Sequence, residues 1–276
     1  MKQKRMMAGF TEKTVLLAAS LLFIFPLYIA IVNSFKTYDQ IVKNPLSLPL
    51  SITFDNFRMA WERSKIGELY LNSIFITVCS LILILVTASM LAYIIARNKT
   101  RMVSYMYVFV LAGFMVPAPA VLIPSLKTLK FLHLDGSMTG LFLFYAGTYM
   151  SIAVFFYVEF IKTIPQSIEE SGVIDGAGTF TIFFKLVLPL LKPCTATVFT
   201  FLSIWIWNDF LPPMYILGSD HGRTITTGIY NAVGRETTDW NIVFSCSVLA
   251  SLPIVAVYLL AQKQFISGLT AGAVKG

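Results

Sequence analysis

The chain has 276 residues, 57% of them hydrophobic and 13% charged, with a net charge of +7 and a mean hydropathy of +0.75. Soluble globular chains carry about 25% charged residues, so one or two soluble domains are excluded: they have no interior large enough for this apolar surface. The basic balance does not point to nucleic acid, because no dense patch interleaves lysine or arginine with aromatics. The cations flank long apolar runs instead, as they do around membrane spans. The expectation is an all-α polytopic membrane protein, since helices satisfy their own backbone in lipid.

The N-terminal MKQKRMMAGFTEK is basic and precedes an apolar run. That pattern opens a signal peptide, but the run is long enough to span and no small-x-small cleavage site follows. It reads as a retained first helix. Six spans are expected from a window of roughly 19 residues: Thr14–Val32, Leu69–Ala96, Met102–Leu126, Met138–Phe160, Thr195–Leu217 and Ile242–Ala261. An even count puts both termini on one side. With that side cytoplasmic, the inner segments carry 12 lysines and arginines and the outer ones 9, a bias in the expected direction. Arg97-Asn98-Lys99-Thr100-Arg101, a short loop with three cations and no acid, is the sharpest local sign.

Within the third span, VPAPAVLIP places Pro117, Pro119 and Pro124 close together. Proline removes a donor and clashes with the preceding turn. The segment reads as a kink near the outer end or as a mobile, pathway-lining break. Cys79, Cys194 and Cys246 are few and scattered, and read as packing residues. No metal site is expected, as His133 and His221 fall in outer loops and no metal-ligand cluster exists in the sequence.

Between the fourth and fifth spans lies KTIPQSIEESGVIDGAGTFTIFFKLVLPLLKP, Lys162 to Pro193, too polar to cross. Ser167-Ile168-Glu169-Glu170 fits a capping box, with Glu170 reaching back to the start of a helix. A second short helix starts at Thr179, with Phe180, Phe183, Phe184, Val187 and Leu188 on one face and Pro189 disrupting it. Gly172 and Gly176, four apart, are expected on one helical face, each costing roughly 1 kcal/mol of helix propensity. A smooth face suits close backbone approach. Glu169, Glu170 and Asp175 add an acidic character. The segment reads as a docking helix for another protein or as a piece packed on the chain's own helices. Gly176-Ala177-Gly178 is no dinucleotide fingerprint, since Thr181 stands where its third glycine belongs, and no G-x-x-x-x-G-K-[ST] loop occurs in the chain.

The run Glu170-Ser171-Gly172, three residues, Gly176, nine residues, Leu186-x-Leu188-Pro189 resembles the EAA loop of ABC importer permeases, E-A-A, three residues, G, nine residues, I-x-L-P. Ser171 and Gly172 stand for the two alanines and Leu186 for the isoleucine. Trp207-Asn208-Asp209-Phe210 and the ending Gly268-Leu269-Thr270-Ala271-Gly272-Ala273-Val274-Lys275-Gly276 resemble the carbohydrate-importing branch, within it the smaller permease of the maltose-permease type. The resemblance implies a type I ABC importer permease fold over residues 1–276, in the bacterial inner membrane. It implies that Glu169, Glu170, Ser171, Gly172, Asp175, Gly176, Ala177, Leu188 and Pro189 couple to a cytosolic ATPase. Thr270, Ala271 and Gly272 would give a C-terminal contact with the ATPase pair. Its implied partners are a second permease subunit, two ATPase subunits that carry ATP and Mg, an extracytoplasmic sugar-binding protein and the lipid bilayer. The chain itself would hold no cofactor and catalyse nothing.

Asp209 is a carboxylate inside an expected span, and intramembrane acids default to functional readings. With Trp205, Trp207 and Asn208 it lines a sugar path or, before Pro212-Pro213, satisfies a broken helix end. The larger partner permease is the other place for the sugar contacts. The polar stretch Gly218 to Asp239 reads as a solvated connector or, by the resemblance, as a loop reaching into the binding protein, which Asn33 to Glu68 is also long enough to touch. An ABC permease for a non-sugar solute shares the EAA loop but not the sugar-type ending. An ion-coupled secondary transporter would want more intramembrane charge and internal repeats.

Overall fold

A computed structural model describes the backbone of residues 2–218, 223–235 and 239–273, and the side chains of 13–218, 223–231 and 239–262. The described residues are helical with connecting turns and contain no strand. The helices are α1 (Lys2–Ser34), α2 (Tyr38–Lys43), α3 (Asp55–Arg63), α4 (Ile66–Arg97), α5 (Arg101–Met115), α6 (Ala118–Phe131), α7 (Met138–Ile161) and α8 (Ser167–Ile174). Then come α9 (Thr179–Thr181), a π-helical turn Ile182–Val187, α10 (Leu188–Leu190), α11 (Lys192–Asn208), α12 (Leu211–Ile216), α13 (Ile225–Arg235) and α14 (Trp240–Ala273).

Four of these, Lys13–Ser34, Ile66–Arg97, Met138–Ile161 and Trp240–Gln262, are long and apolar enough to cross a membrane. They match the first, second, fourth and sixth expected spans. The other two are bent pairs. Arg101–Met115 and Ala118–Phe131 meet at 105°, and Thr179–Leu190 meets Lys192–Asn208 at 71°. The proline cluster is therefore a full break: Val116 and Pro117 are extended, and Pro119 sits in the first turn of α6, where a missing donor costs nothing.

The chain divides into two compact units, Met1–Gly67 with Gly228–Leu252 and Glu68–Thr227 with Pro253–Gly276. In the first, the buried Asn56 amide donates to the carbonyls of Ser34 (2.9 Å) and Lys36 (2.8 Å), and its own oxygen accepts from Asn241 (2.8 Å). Lys36 is fully buried, its ammonium donating to the carbonyls of Asn44 and Pro45, and burial pushes its amine below the ordinary lysine range. Phe35, Phe54 and Phe57 close this corner.

In the second unit α7 packs against both α5 and α11. Leu141, Phe144, Tyr145, Val154 and Tyr157 lie in a core shared with Ile84 and Ala88 of α4 and Val198 and Leu202 of α11. Ser137 caps α7 by accepting from the Gly140 amide at 3.0 Å. The stretch after Gly218 corrects the expected solvated connector: Ile225 to Arg235 is helical, Thr224, Ile225 and Thr227 are buried, and the Ile225 amide donates to Ser73 Oγ. Residues 219–222 and 236–238 lie outside the described residues.

Candidate functional site

The segment between the fourth and fifth spans folds as an elbow. Helix α8 runs from Ser167 to Ile174, a turn follows, and α9, the π turn and α10 continue as one rod to Leu190. The capping box does not form: the helix starts one residue earlier than expected, Gln166 is the N-cap, and its carbonyl accepts from the Glu169 and Glu170 amides. The cap thus comes from backbone, and both glutamates are free for other work.

They diverge. Glu169 turns inward, where Arg97 Nε and Nη2 both lie 2.7 Å from its Oε1 and the Tyr93 hydroxyl donates to its Oε2 at 2.9 Å. Glu170 is exposed, with Ser171, Val173, Ile174 and Asp175. Val173 and Ile174 are 63% and 85% exposed. The outer face of α8 is therefore a small apolar pair bracketed by two acids.

The two glycines part as well, and the expectation that they share a helical face is wrong. Helix α8 ends at Ile174, and Gly176 stands beyond it with φ +80°. Its amide donates to Val173 O and that of Ala177 to Gly172 O, the paired bonds of a Schellman cap. Gly172 is buried inside the helix. A Cβ there would meet Leu186 Cδ1 at 2.8 Å and Ile182 Cγ1 at 3.3 Å. Its smooth face thus packs on the chain's own rod. A substitution series separates the roles. Gly178, with open space and an ordinary φ, is expected to accept alanine at the smaller cost of a weaker N-cap, under about 1 kcal/mol. Gly176→Ala costs about 1–2 kcal/mol, Gly176→Asn less. Thermal unfolding of the purified protein checks the order.

In the rod, Ile182, Phe183 and Val187 are buried while Phe180 and Phe184 are exposed. The π turn precedes Pro189, which lacks the donor an α-helix would use there. Leu188 and Pro189 line an open cleft of about 530 Å³ inside the 71° bend, with Phe184, Lys192 and Phe199.

The suspected path residues do not form one cluster. Trp207 is buried and its ring lies 6.3 Å from Tyr70. Trp205 is 41% exposed and joins a run of rings, 5.6 Å from Tyr149 and 6.2 Å from Phe201. Asn208 is exposed, its amide donating to Ile204 O of its own helix. Asp209 ends α11: its Oδ1 accepts from the Phe210 amide at 2.9 Å and its carbonyl from Thr226 Oγ1 at 2.6 Å. The buried Tyr145 hydroxyl is a neighbour of this carboxylate. Helix-end satisfaction is what Asp209 visibly does. Thr270, Ala271 and Gly272 lie near the end of α14, but their side chains, and all of residues 274–276, are outside the described residues. Arg97 and Tyr93 were missed as site residues; Arg97 was read only as a marker of orientation.

The chain superposes on a chain from the crystal structure of a bacterial ABC transporter involved in the import of the acidic polysaccharide alginate. The TM-score is 0.83 at 21% identity, over 96% of this chain and 98% of that one. The fold is thus that of an ABC transporter membrane chain. Residues 85–270 match the family of the binding-protein-dependent transport system inner membrane component, and the chain belongs to that family. Relatives include a probable starch degradation products transport system permease protein, AmyC, of Thermoanaerobacterium thermosulfurigenes. It is 36% identical over 93% of either chain. The melibiose/raffinose/stachyose import permease protein MelC of Bacillus subtilis is 32% identical over 91% of each.

Proposed function

We propose that this chain is the smaller permease subunit of an importer for a sugar or oligosaccharide, working by alternating access. A second, homologous permease subunit completes the path, and an extracytoplasmic binding protein delivers the solute. Two ATPase subunits hold ATP and Mg and supply the driving force. The elbow and both termini face the cytoplasm. The observation that carries the coupling role is the outer face of α8, where Val173 and Ile174 stand bare between Glu170 and Asp175 while the opposite side is locked to the chain. Bare apolar side chains beside charges suit a protein groove. Thr270, Ala271 and Gly272 make a second ATPase contact. Trp205, Asn208 and Asp209 border the solute path, and Trp207 holds that end of α11 in place. The sugar assignment is supported by relatives named as permeases for starch degradation products and for melibiose, raffinose and stachyose.

The test is ATP hydrolysis by the assembled importer in lipid nanodiscs. Glu170→Lys is expected to cut binding-protein-stimulated hydrolysis at least tenfold and to weaken co-purification of the ATPase. A variant that stays bound and fully stimulated overturns the coupling role of this face. Thermal-shift measurements on the cognate binding protein with maltotriose, melibiose and raffinose test the solute class. A shift with none of them, and with no other sugar, overturns it.

A further inference from the structure

Glu169 is adjacent to the residue assigned to the ATPase contact, yet it points the other way. Both of its carboxylate oxygens are taken by α4: Oε1 by the Arg97 guanidinium at 2.7 Å, Oε2 by the Tyr93 hydroxyl at 2.9 Å. The Arg97 Nη2 also donates to the Ile164 carbonyl at 3.0 Å, in the turn that leads into α8. The Tyr93 ring packs on Phe183 of the π turn with centroids 5.3 Å apart. Arg97 and Glu169 side chains are only 14% and 12% exposed. One turn of α4 thus grips the entry, the first turn and the following rod of the elbow.

We propose that Arg97, Tyr93 and Glu169 form a clamp that makes α8 and α4 move as one body, so that a displacement imposed on α8 is delivered to the spanning helix α4. This inference rests on the coupling role proposed above. The physical argument is geometric. An ion pair removed from water contributes little net stability over apolar packing, but a planar guanidinium fork bonded to a carboxylate and a carbonyl at once fixes orientation. Helix α8 has eight residues and short turns on both sides. Without the clamp α8 would be held by apolar packing, of Gly172 on Leu186 and Ile182 and of Ile168 on the core, and by the Schellman cap, none of which has the directionality of the ion pair. The clamp ties the docking element directly to a helix that crosses the membrane. Arg97, Tyr93 and Glu169 are positioning residues: they act through α8 and touch neither ATP nor solute.

The experiment uses the assembled importer in nanodiscs and compares ATP hydrolysis with and without the solute-loaded binding protein. Glu169→Gln and Arg97→Gln are expected to retain the ATPase subunits but to lower the stimulated-to-basal ratio at least fivefold. Tyr93→Phe, which keeps the ring on Phe183 and removes only the hydroxyl, should lower it about twofold. The exchanged pair Arg97→Glu with Glu169→Arg should recover part of the ratio that either single change loses. That recovery would show that the pair itself, and not either side chain alone, carries the ratio. Glu170→Lys runs in parallel. If it uncouples while Glu169→Gln and Tyr93→Phe keep the native ratio, the clamp is wrong and the docking face stands. If all variants keep the native ratio, the coupling role of the elbow fails and the clamp with it. Should Arg97→Gln fail to assemble, Tyr93→Phe and Glu169→Gln decide the matter.

Discussion

Replacing Gly172 with leucine is expected to dislodge α8 from the rod behind it and to abolish coupling. A Cβ at this position already meets Leu186 Cδ1 at 2.8 Å and Ile182 Cγ1 at 3.3 Å. Ile182 is buried and held by the π turn, so the extra methylenes of leucine have nowhere to go. Overpacking of this kind costs about 1–3 kcal/mol, and the cheapest relief is to tilt α8 outward, away from Arg97. Alanine behaves differently. The tip of Leu186, only half-buried, can rotate, and the helix gains about 1 kcal/mol from losing a glycine, so Gly172→Ala should be near neutral. The EAA pattern has alanine and isoleucine where this chain has Gly172 and Leu186. These two departures touch each other: the glycine makes room for the longer reach of leucine. A double-mutant cycle between Gly172→Ala and Leu186→Ile should therefore show a coupling above about 0.5 kcal/mol, read as thermal unfolding of the purified subunit pair. Native stability and native ATPase retention in Gly172→Leu would overturn this packing account.

That pair also shows what the sequence makes legible and where it stops. The existence of a short helix followed by a second one was readable from Pro165, the acids and the apolar run after Thr179. The role of the glycines was not, because spacing by four residues means a shared face only if the helix continues. Here it stops at Ile174, and the Asp-Gly-Ala run is the C-cap signal that announces it. Glu169 and Glu170 look equivalent in the chain. Only the approach of α4, 72 residues away in sequence for Arg97, assigns one inward and the other outward. The same holds for Trp205 and Trp207, where two steps on a helix separate a half-open ring from a buried one. The four unbroken spans were legible because an apolar run of some 20 residues has a single solution in lipid. The proline cluster announced a break, but its 105° angle depends on what α6 packs against, and that is a tertiary fact.

Gly140→Ala is expected to be the most damaging single-methyl change in α7, and Gly147→Ala, two turns further along the same helix, to be harmless. Both replace a helical glycine, so the propensity gain is common to them. At Gly147 nothing lies within 4 Å of an added Cβ. At Gly140 the Cβ would run into the carbonyl oxygen of Leu134, with Ser137 Oγ also at 3.3 Å. A side chain could rotate away, but this obstacle is backbone, and the backbone is pinned. The Leu134 amide donates to Leu129 O at 2.8 Å and the Gly136 amide to Ile216 O at 2.9 Å. Ser137 Oγ donates to Leu134 O at 2.6 Å while capping α7. Relief must break this cap, worth about 1 kcal/mol, or shift the loop and strain the core that begins at Leu141. The net cost is about 1–3 kcal/mol. It should appear as a lower unfolding midpoint in detergent and a smaller folded yield in membranes, with Gly147→Ala as the matched control. Equal behaviour of the two variants would mean that the turn from Leu134 to Ser137 yields freely, and that its hydrogen bonds do not hold the start of α7 in place.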